Sequence, residues 1–150
     1  RNAVDHGIEP AEARQLKGKT PEGTIKLGYK QGFLQLSDDG QGLNLARLKQ
    51  KAIEAGKIDL AKPLDAKTIA NTLFESGVST AESVTAISGR GVGMDAVRKY
   101  LQDNQCDIQI VLAKGVSADD EFAPFALRIR LAEPIYEETT ARKITQQHVS

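Results

Sequence analysis

Ile25, Leu27 and Tyr29 alternate with Lys26, Gly28 and Lys30, and Leu34 and Leu36 continue the alternation after Gly32. A period of two in runs separated by Gln31-Gly32 predicts a β-hairpin with a polar outer face. Its second strand runs straight into Asp38-Asp39-Gly40, so two carboxylates sit at a strand end. The period then lengthens. Leu45, Leu48, Ala52 and Ile53 recur at helical spacing before Gly56, and Asp65 is placed to cap a second helix carrying Ile69, Leu73 and Phe74, ending near Gly77. Further on, Ala96-Val97 and Tyr100-Leu101 mark a helix face from Met94 to Leu101. Two strands follow, Asp107 to Leu112 and Phe125 to Leu131, joined by a loop with Gly115 and Asp119-Asp120-Glu121. Ahead of the hairpin, residues 1–7 read as the end of a helix closed by Gly7. Pro10 suits the first turn of a short helix through Leu16, stopped by Gly18.

Two stretches lack a period. Residues 76–93 are rich in Ser, Thr and Gly, and a loop that long in a compact domain is a lid or binding segment. From Glu133 onward the chain is polar with no strong face. Strands and helices without strict β-α-β alternation predict an α+β fold with helices on one face of a mixed or antiparallel sheet. The expected domain covers residues 1–132, with 133–150 as a C-terminal tail or linker.

Composition narrows the function classes. With 40% hydrophobic and 27% charged residues, the 150-residue chain can build one ordinary core. Twenty basic and twenty acidic residues cancel, which removes the basic footprint of a dedicated nucleic-acid binder. A lone cysteine, Cys106, rules out an internal disulfide framework and fits a reducing cytosol. With Ile108, Ile110 and Val111 nearby, it reads as a packed small hydrophobe. The longest apolar run, Ile110 to Ala113, is far too short to cross a bilayer. The chain begins with Arg1 and reads as a piece of something longer.

The candidate chemistry lies in glycine-containing polar blocks. In Ser88-Gly89-Arg90-Gly91-Val92-Gly93-Met94-Asp95 a glycine occupies every second position up to a helix start. Glycines let main-chain N–H groups close around phosphate oxygens, and the helix N-terminus adds its positive dipole end. A dinucleotide fingerprint fails here, because the third glycine comes one residue early and Met94 stands in its place. A P-loop fails too: Gly18-Lys19-Thr20 lacks the upstream glycine at the right distance. Asp38 at its strand end could accept a hydrogen bond from an exocyclic amino group such as adenine's, with Gly40 and Gly42 opening the wall; Asp38 and Asp39 could equally form an Asx turn. Asn2 offers a hard amide oxygen for Mg²⁺. His6, four residues on, shares its helix face, and could join a metal site, act on a phosphoryl group or bond the helix C-terminal carbonyls. Arg90 is a candidate phosphate cation, whereas Lys114 and His148 read as solvated.

Arg1-Asn2-Ala3-Val4-Asp5-His6-Gly7-Ile8-Glu9-Pro10, Asp38-Asp39-Gly40-Gln41-Gly42-Leu43, Leu73-Phe74-Glu75-Ser76-Gly77-Val78-Ser79-Thr80 and Ser88 to Asp95 occur in that order. Together they resemble the N box, first glycine box, phenylalanine box and second glycine box of the ATP-binding domain of CheA-type chemotaxis histidine kinases. The resemblance runs to about residue 102. It implies a Bergerat-type two-layer α/β sandwich with ATP held between the helices and a lid over residues 75–90. It assigns Asn2 to Mg²⁺ and nucleotide, Asp38 to the adenine amino group, and Gly40 and Gly42 to the base wall. Phe74 would anchor the lid, with Ser79 and Thr80 beside it. Gly89, Arg90, Gly91 and Gly93 would surround the phosphates, and His6 would take the catalytic position.

The γ-phosphoryl group would pass to a histidine on a separate phosphotransfer domain and then to a response regulator. Coupling and receptor proteins would act through the parent protein in the cytoplasm. Three features depart from the family pattern: the N-box helix lacks its upstream residues, Pro124-Phe125 stands where a Gly-Thr pair is usual, and Glu75-Ser76-Gly77-Val78 stands where proline and an aromatic are usual. They leave a second expectation open, a degenerate interaction module with weak or no nucleotide binding. An ATPase of the wider superfamily is a third, disfavoured by the neutral charge.

Overall fold

The computed structural model describes residues 3–78 and 93–132, together with a short strand at 148–149. Ala3–Gly7 forms one wide helical turn, in which the Ile8 amide donates to the Ala3 carbonyl five residues back. Helix α1 spans Ala11–Leu16 behind Pro10, and strands β1 (Gly23–Lys30) and β2 (Phe33–Asp38) make the hairpin. Gln31 (φ 49°) and Gly32 (φ 78°) both adopt left-handed backbone, the turn whose twist matches that of two antiparallel strands. Strand β3 (Leu43–Asn44) leads into α2 (Leu45–Glu54), and α3 (Ala66–Asn71) continues as a 3-10 turn over Thr72–Phe74. Helix α4 (Met94–Asp103) precedes β4 (Asp107–Leu112), β5 (Phe122–Ala123) and β6 (Phe125–Arg130), and β7 is His148–Val149. The caps follow from local chemistry: Asn44 Oδ1 accepts from the Arg47 amide and Asp65 Oδ1 from that of Thr68.

The main sheet has the order β4-β6-β2-β1-β7, and β3 pairs with β5 in a separate two-residue ladder. Every described pairing is antiparallel, which resolves the expected mixed-or-antiparallel sheet in favour of the second. Ile108, Ile110 and Leu112 lie across from Ile129, Leu127 and Phe125, and this face packs under Leu48, Ala52, Ile69 and Ala70. The fold is thus α+β. The opposite face carries Lys26, Lys30, Gln35, Arg128 and Arg130, with the Arg128 guanidinium 3.9 Å from the Phe33 ring centroid.

Two expectations about burial need correcting. Ile53 shares the helical spacing of the apolar positions of α2, yet it is exposed, while Leu45, Leu48 and Ala52 are fully buried. Leu27 and Leu36 pair on the helix side of the sheet but stay 44% and 36% exposed, because the helix layer packs on the β4 end. The tail also carries an element that its polar pattern did not announce: His148 and Val149 pair with Thr24 and Gly23. Alternation cannot show itself over two residues.

Gly42 joins the hairpin to the second ladder at φ +87°, and a Cβ there would lie 2.5 Å from the Ala123 carbonyl oxygen. Gly42→Ala is expected to destabilise the fold by about 1–3 kcal/mol through backbone strain alone, read as a lowered urea midpoint with an unchanged slope.

Candidate functional site

The turn after β2 is organised by charge. Arg14 projects from α1 into full burial, although Leu16, two residues on, is 90% exposed. A guanidinium has five N–H donors, and burying any of them unpaired is costly. All five are used here. Nε donates to the Thr20 carbonyl (2.8 Å), Nη1 to Glu9 Oε2 (3.3 Å) and the Asp39 carbonyl (3.2 Å), and Nη2 to the Glu22 carbonyl (3.1 Å) and Asp39 Oδ2 (2.9 Å). Lys19 Nζ also fills its three donor positions, to Glu9 Oε1 (3.1 Å), the Asp39 carbonyl (2.9 Å) and the Gly40 carbonyl (2.9 Å). Among the described residues, Lys17 Nζ reaches only Glu9 Oε1, at 3.1 Å. Asp39 is tied to the first strand as well: Thr24 N–H donates to its Oδ1, and its own N–H donates to the Thr24 carbonyl.

Asp38 sits on this braced turn, half-buried at the end of β2. Its Oδ1 accepts from the Gly40 amide at 2.9 Å, so the Asx turn forms. The Gln41 amide donates to the Gly7 carbonyl at 2.9 Å, and a Cβ on Gly40 would collide with that same carbonyl. The glycine requirement at 40 and 42 is therefore set by backbone meeting backbone, at Gly7 and Ala123. No open wall beside a planar ring is needed to explain it.

Phe74 is buried, and the Arg98 guanidinium of α4 lies 5.2 Å from its ring centroid, which joins the phenylalanine block to the helix after the second glycine block. Gly93 is the N-cap of α4, extended at φ −70° and ψ 167°. Cys106 is buried, as expected. Phe125 begins β6 opposite Leu112 and packs on the core. Asn2, Ser79, Thr80, Gly89, Arg90 and Gly91 lie outside the described residues, as does the His6 side chain, although the His6 backbone belongs to the first helical turn. Among the described residues, no cluster of His, Cys, Asp and Glu could hold a metal ion, and no helix is long and apolar enough to cross a membrane.

No family model matches the chain. It is 44% identical over 106 residues to the chemotaxis protein CheA of Rhizobium meliloti, an alignment covering 68% of the chain and 14% of that protein. It is 40% identical over 121 residues to CheA of Bacillus subtilis, covering 77% of the chain and 18% of the relative. The sensor histidine kinase CheAY of Helicobacter pylori matches at 39% over 136 residues, 86% of the chain and 17% of the relative. The chain is a CheA-type domain. It spans less than a fifth of the length of these relatives.

Sequence reasoning missed the Arg14 network in this CheA-type domain. The signal was present in Glu9, Arg14, Lys17, Lys19 and Glu22, which crowd charges around a helix with no apolar stripe. Burial pushes the Glu9 carboxyl up, but its own backbone amide, hydrogen bonds from Lys19 and Lys17 and the charge of Lys19 outweigh that, bringing it from 4.5 to about 2. For Asp39, burial again acts upward, and the Thr24 amide and the Arg14 guanidinium carry the net shift below the usual carboxylate range. A depressed folded-state pKa stabilises the fold above the unfolded value and loses that effect as pH falls through the folded one. Wild type is therefore expected to exceed Glu9→Gln in stability by about 1–3 kcal/mol near neutrality. The gap should shrink between pH 4.5 and about 2 in urea titrations of both proteins.

Proposed function

We propose that this chain is the ATP-binding catalytic segment of a chemotaxis-type histidine kinase, with Asp38 reading the adenine amino group. What carries the reading is a carboxylate at a strand end, on a turn fixed from both sides: the Gly7 carbonyl binds the Gln41 amide, and Lys19 holds the Asp39 and Gly40 carbonyls. A rigidly held acceptor suits an exocyclic amine, and repels the carbonyl that guanine presents at the equivalent position. The match to a relative named sensor histidine kinase CheAY supports the same reading. So do a sheet with helices layered on one face and a glycine at the N-cap of α4.

In this reading Asn2 holds Mg²⁺, Gly89, Gly91 and Gly93 surround the phosphates with Arg90, and Phe74 anchors a lid over residues 75–90 that includes Ser79 and Thr80. His6 faces the transferred group. ATP supplies the phosphoryl group, and the metal offsets its charge. Transfer is to a histidine on a separate phosphotransfer domain, then to a response regulator, with coupling and receptor proteins acting through the whole cytoplasmic protein.

Asp38→Asn keeps the size but sets a donor against a donor. A hydrogen bond of this kind is worth on the order of 1–3 kcal/mol, so affinity for a non-hydrolysable ATP analogue is expected to fall about tenfold to a hundredfold, measured by calorimetry on the full-length natural protein. GTP should bind wild type more weakly than ATP. Unchanged affinity in the variant, or equal binding of GTP, removes Asp38 from this role.

A further inference from the structure

Lys17 and Lys19 sit two residues apart, both bond Glu9 Oε1 at 3.1 Å, and differ in one respect. Among the described residues, Lys17 stops at the carboxylate. Lys19 continues to the carbonyls of Asp39 and Gly40, the two residues that follow Asp38. Arg14 holds the Asp39 carbonyl and carboxylate from the other side. We infer that Arg14 and Lys19 are positioning residues for base recognition, holding the Asp38 turn at the height and angle at which its carboxylate can select adenine. The inference rests on the nucleotide reading above and extends it to residues that never touch the ligand.

Three observations carry it. The Asp38 carboxylate takes one described hydrogen bond, from the Gly40 amide, so its direction depends on where Gly40 is held. Gly40 is held by Lys19 on its carbonyl, and its Cα packs on the Gly7 backbone. The network spends eight donors of two cations on this corner: three go to Asp39, one to Gly40, one each to the Thr20 and Glu22 carbonyls, and two to Glu9, which ties both cations together. The Arg14–Glu9 pair is buried, and an ion pair removed from water is a poor source of net stability compared with apolar packing; what the Arg14 hydrogen bonds do here is tie Asp39 and the bend at Thr20 to α1. Arg14 and Lys19 act through Asp39 and Gly40 on Asp38; none of the four is assigned to the phosphates.

The test uses the full-length natural protein with Lys19→Met, Lys19→Arg, Lys17→Met and Arg14→Lys, and three probes: a non-hydrolysable ATP analogue, the matching GTP analogue and inorganic tripolyphosphate. Lys19→Met is expected to weaken the ATP analogue roughly tenfold, the loss of about one well-placed hydrogen bond, while tripolyphosphate binding stays within about twofold, so that the ATP-to-GTP preference shrinks. Lys19→Arg should restore most of that preference. Lys17→Met should leave it unchanged. In an Asp38→Asn background Lys19→Met should add almost nothing, since both changes remove one interaction.

A purely structural role predicts a different pattern, with thermal midpoints falling while the folded protein keeps its ATP-to-GTP ratio; that result overturns the inference and leaves the proposed function standing. Equal loss in Lys17→Met and Lys19→Met also overturns it. Failure of the wild-type protein to prefer the ATP analogue overturns both. Should Arg14→Lys fail to fold, the Lys19 and Lys17 variants still decide, since their side chains are 32% and 55% exposed at the edge of the network.

Discussion

Full burial of the Arg14 guanidinium is the constraint from which this corner of the molecule follows. A delocalised cation removed from water needs an acceptor for every N–H, and the chain supplies them from three places close in sequence, Glu9, the bend at Thr20 and the approach to β1 at Glu22, and from one distant place, Asp39 beyond β2. Each acceptor fixes the segment that carries it. The result orders the loop between α1 and β1, which has no apolar residue to bury, and sets the angle at which the hairpin leaves the helix. Backbone amides and the surrounding cations hold Glu9 and Asp39 below the usual carboxylate range, which keeps the arrangement intact across ordinary pH.

Around that anchor, the turn holding Asp38 is assembled from backbone on backbone. Gly7 approaches from the N-terminal helical turn, Ala123 from the short β5 strand, and glycine is needed at 40 and 42 because both approaches are too close for a side chain. This separates two questions that the motif alone merges. The letters of Asp38-Asp39-Gly40-Gln41-Gly42 combine the proposed recognition residue with the packing demands that hold it still. Asp39 is the clearest case, since it is the neighbour in sequence and yet belongs to the ion network.

The elements with a sustained period were legible. The hairpin alternation from Ile25 to Leu36, the 3.6-residue spacing of Leu45, Leu48 and Ala52, and the cap at Asp65 agree in register with the structure, because local propensity and burial there point the same way. What escaped was set by partners far away in sequence. β3 with β5, and β7 against β1, are two residues long, too short for any period. Arg14 inside and Leu16 outside invert the usual assignment, because a satisfied network of acceptors decided the rotation of α1. Of the candidate site, the strand-end position of Asp38 and the N-cap position of Gly93 could be read from the letters, whereas the bracing from Lys19 needed coordinates.

The two ends of the main sheet are secured by different forces. At β4 and β6, Ile108, Ile110 and Leu127 are covered by helices, and that half owes its cohesion to apolar burial. At β1 and β2, Leu27 and Leu36 remain half in water, and the strands are pinned at their base through Thr24 and Asp39. Apolar burial carries a large heat-capacity change and weakens on cooling, whereas the cost of desolvating ions declines as temperature rises. One continuous ladder of hydrogen bonds thus joins halves whose stabilities curve differently with temperature. Cooling weakens what holds the helix-covered half, and warming shifts relative cohesion toward the ionic corner that carries Asp38.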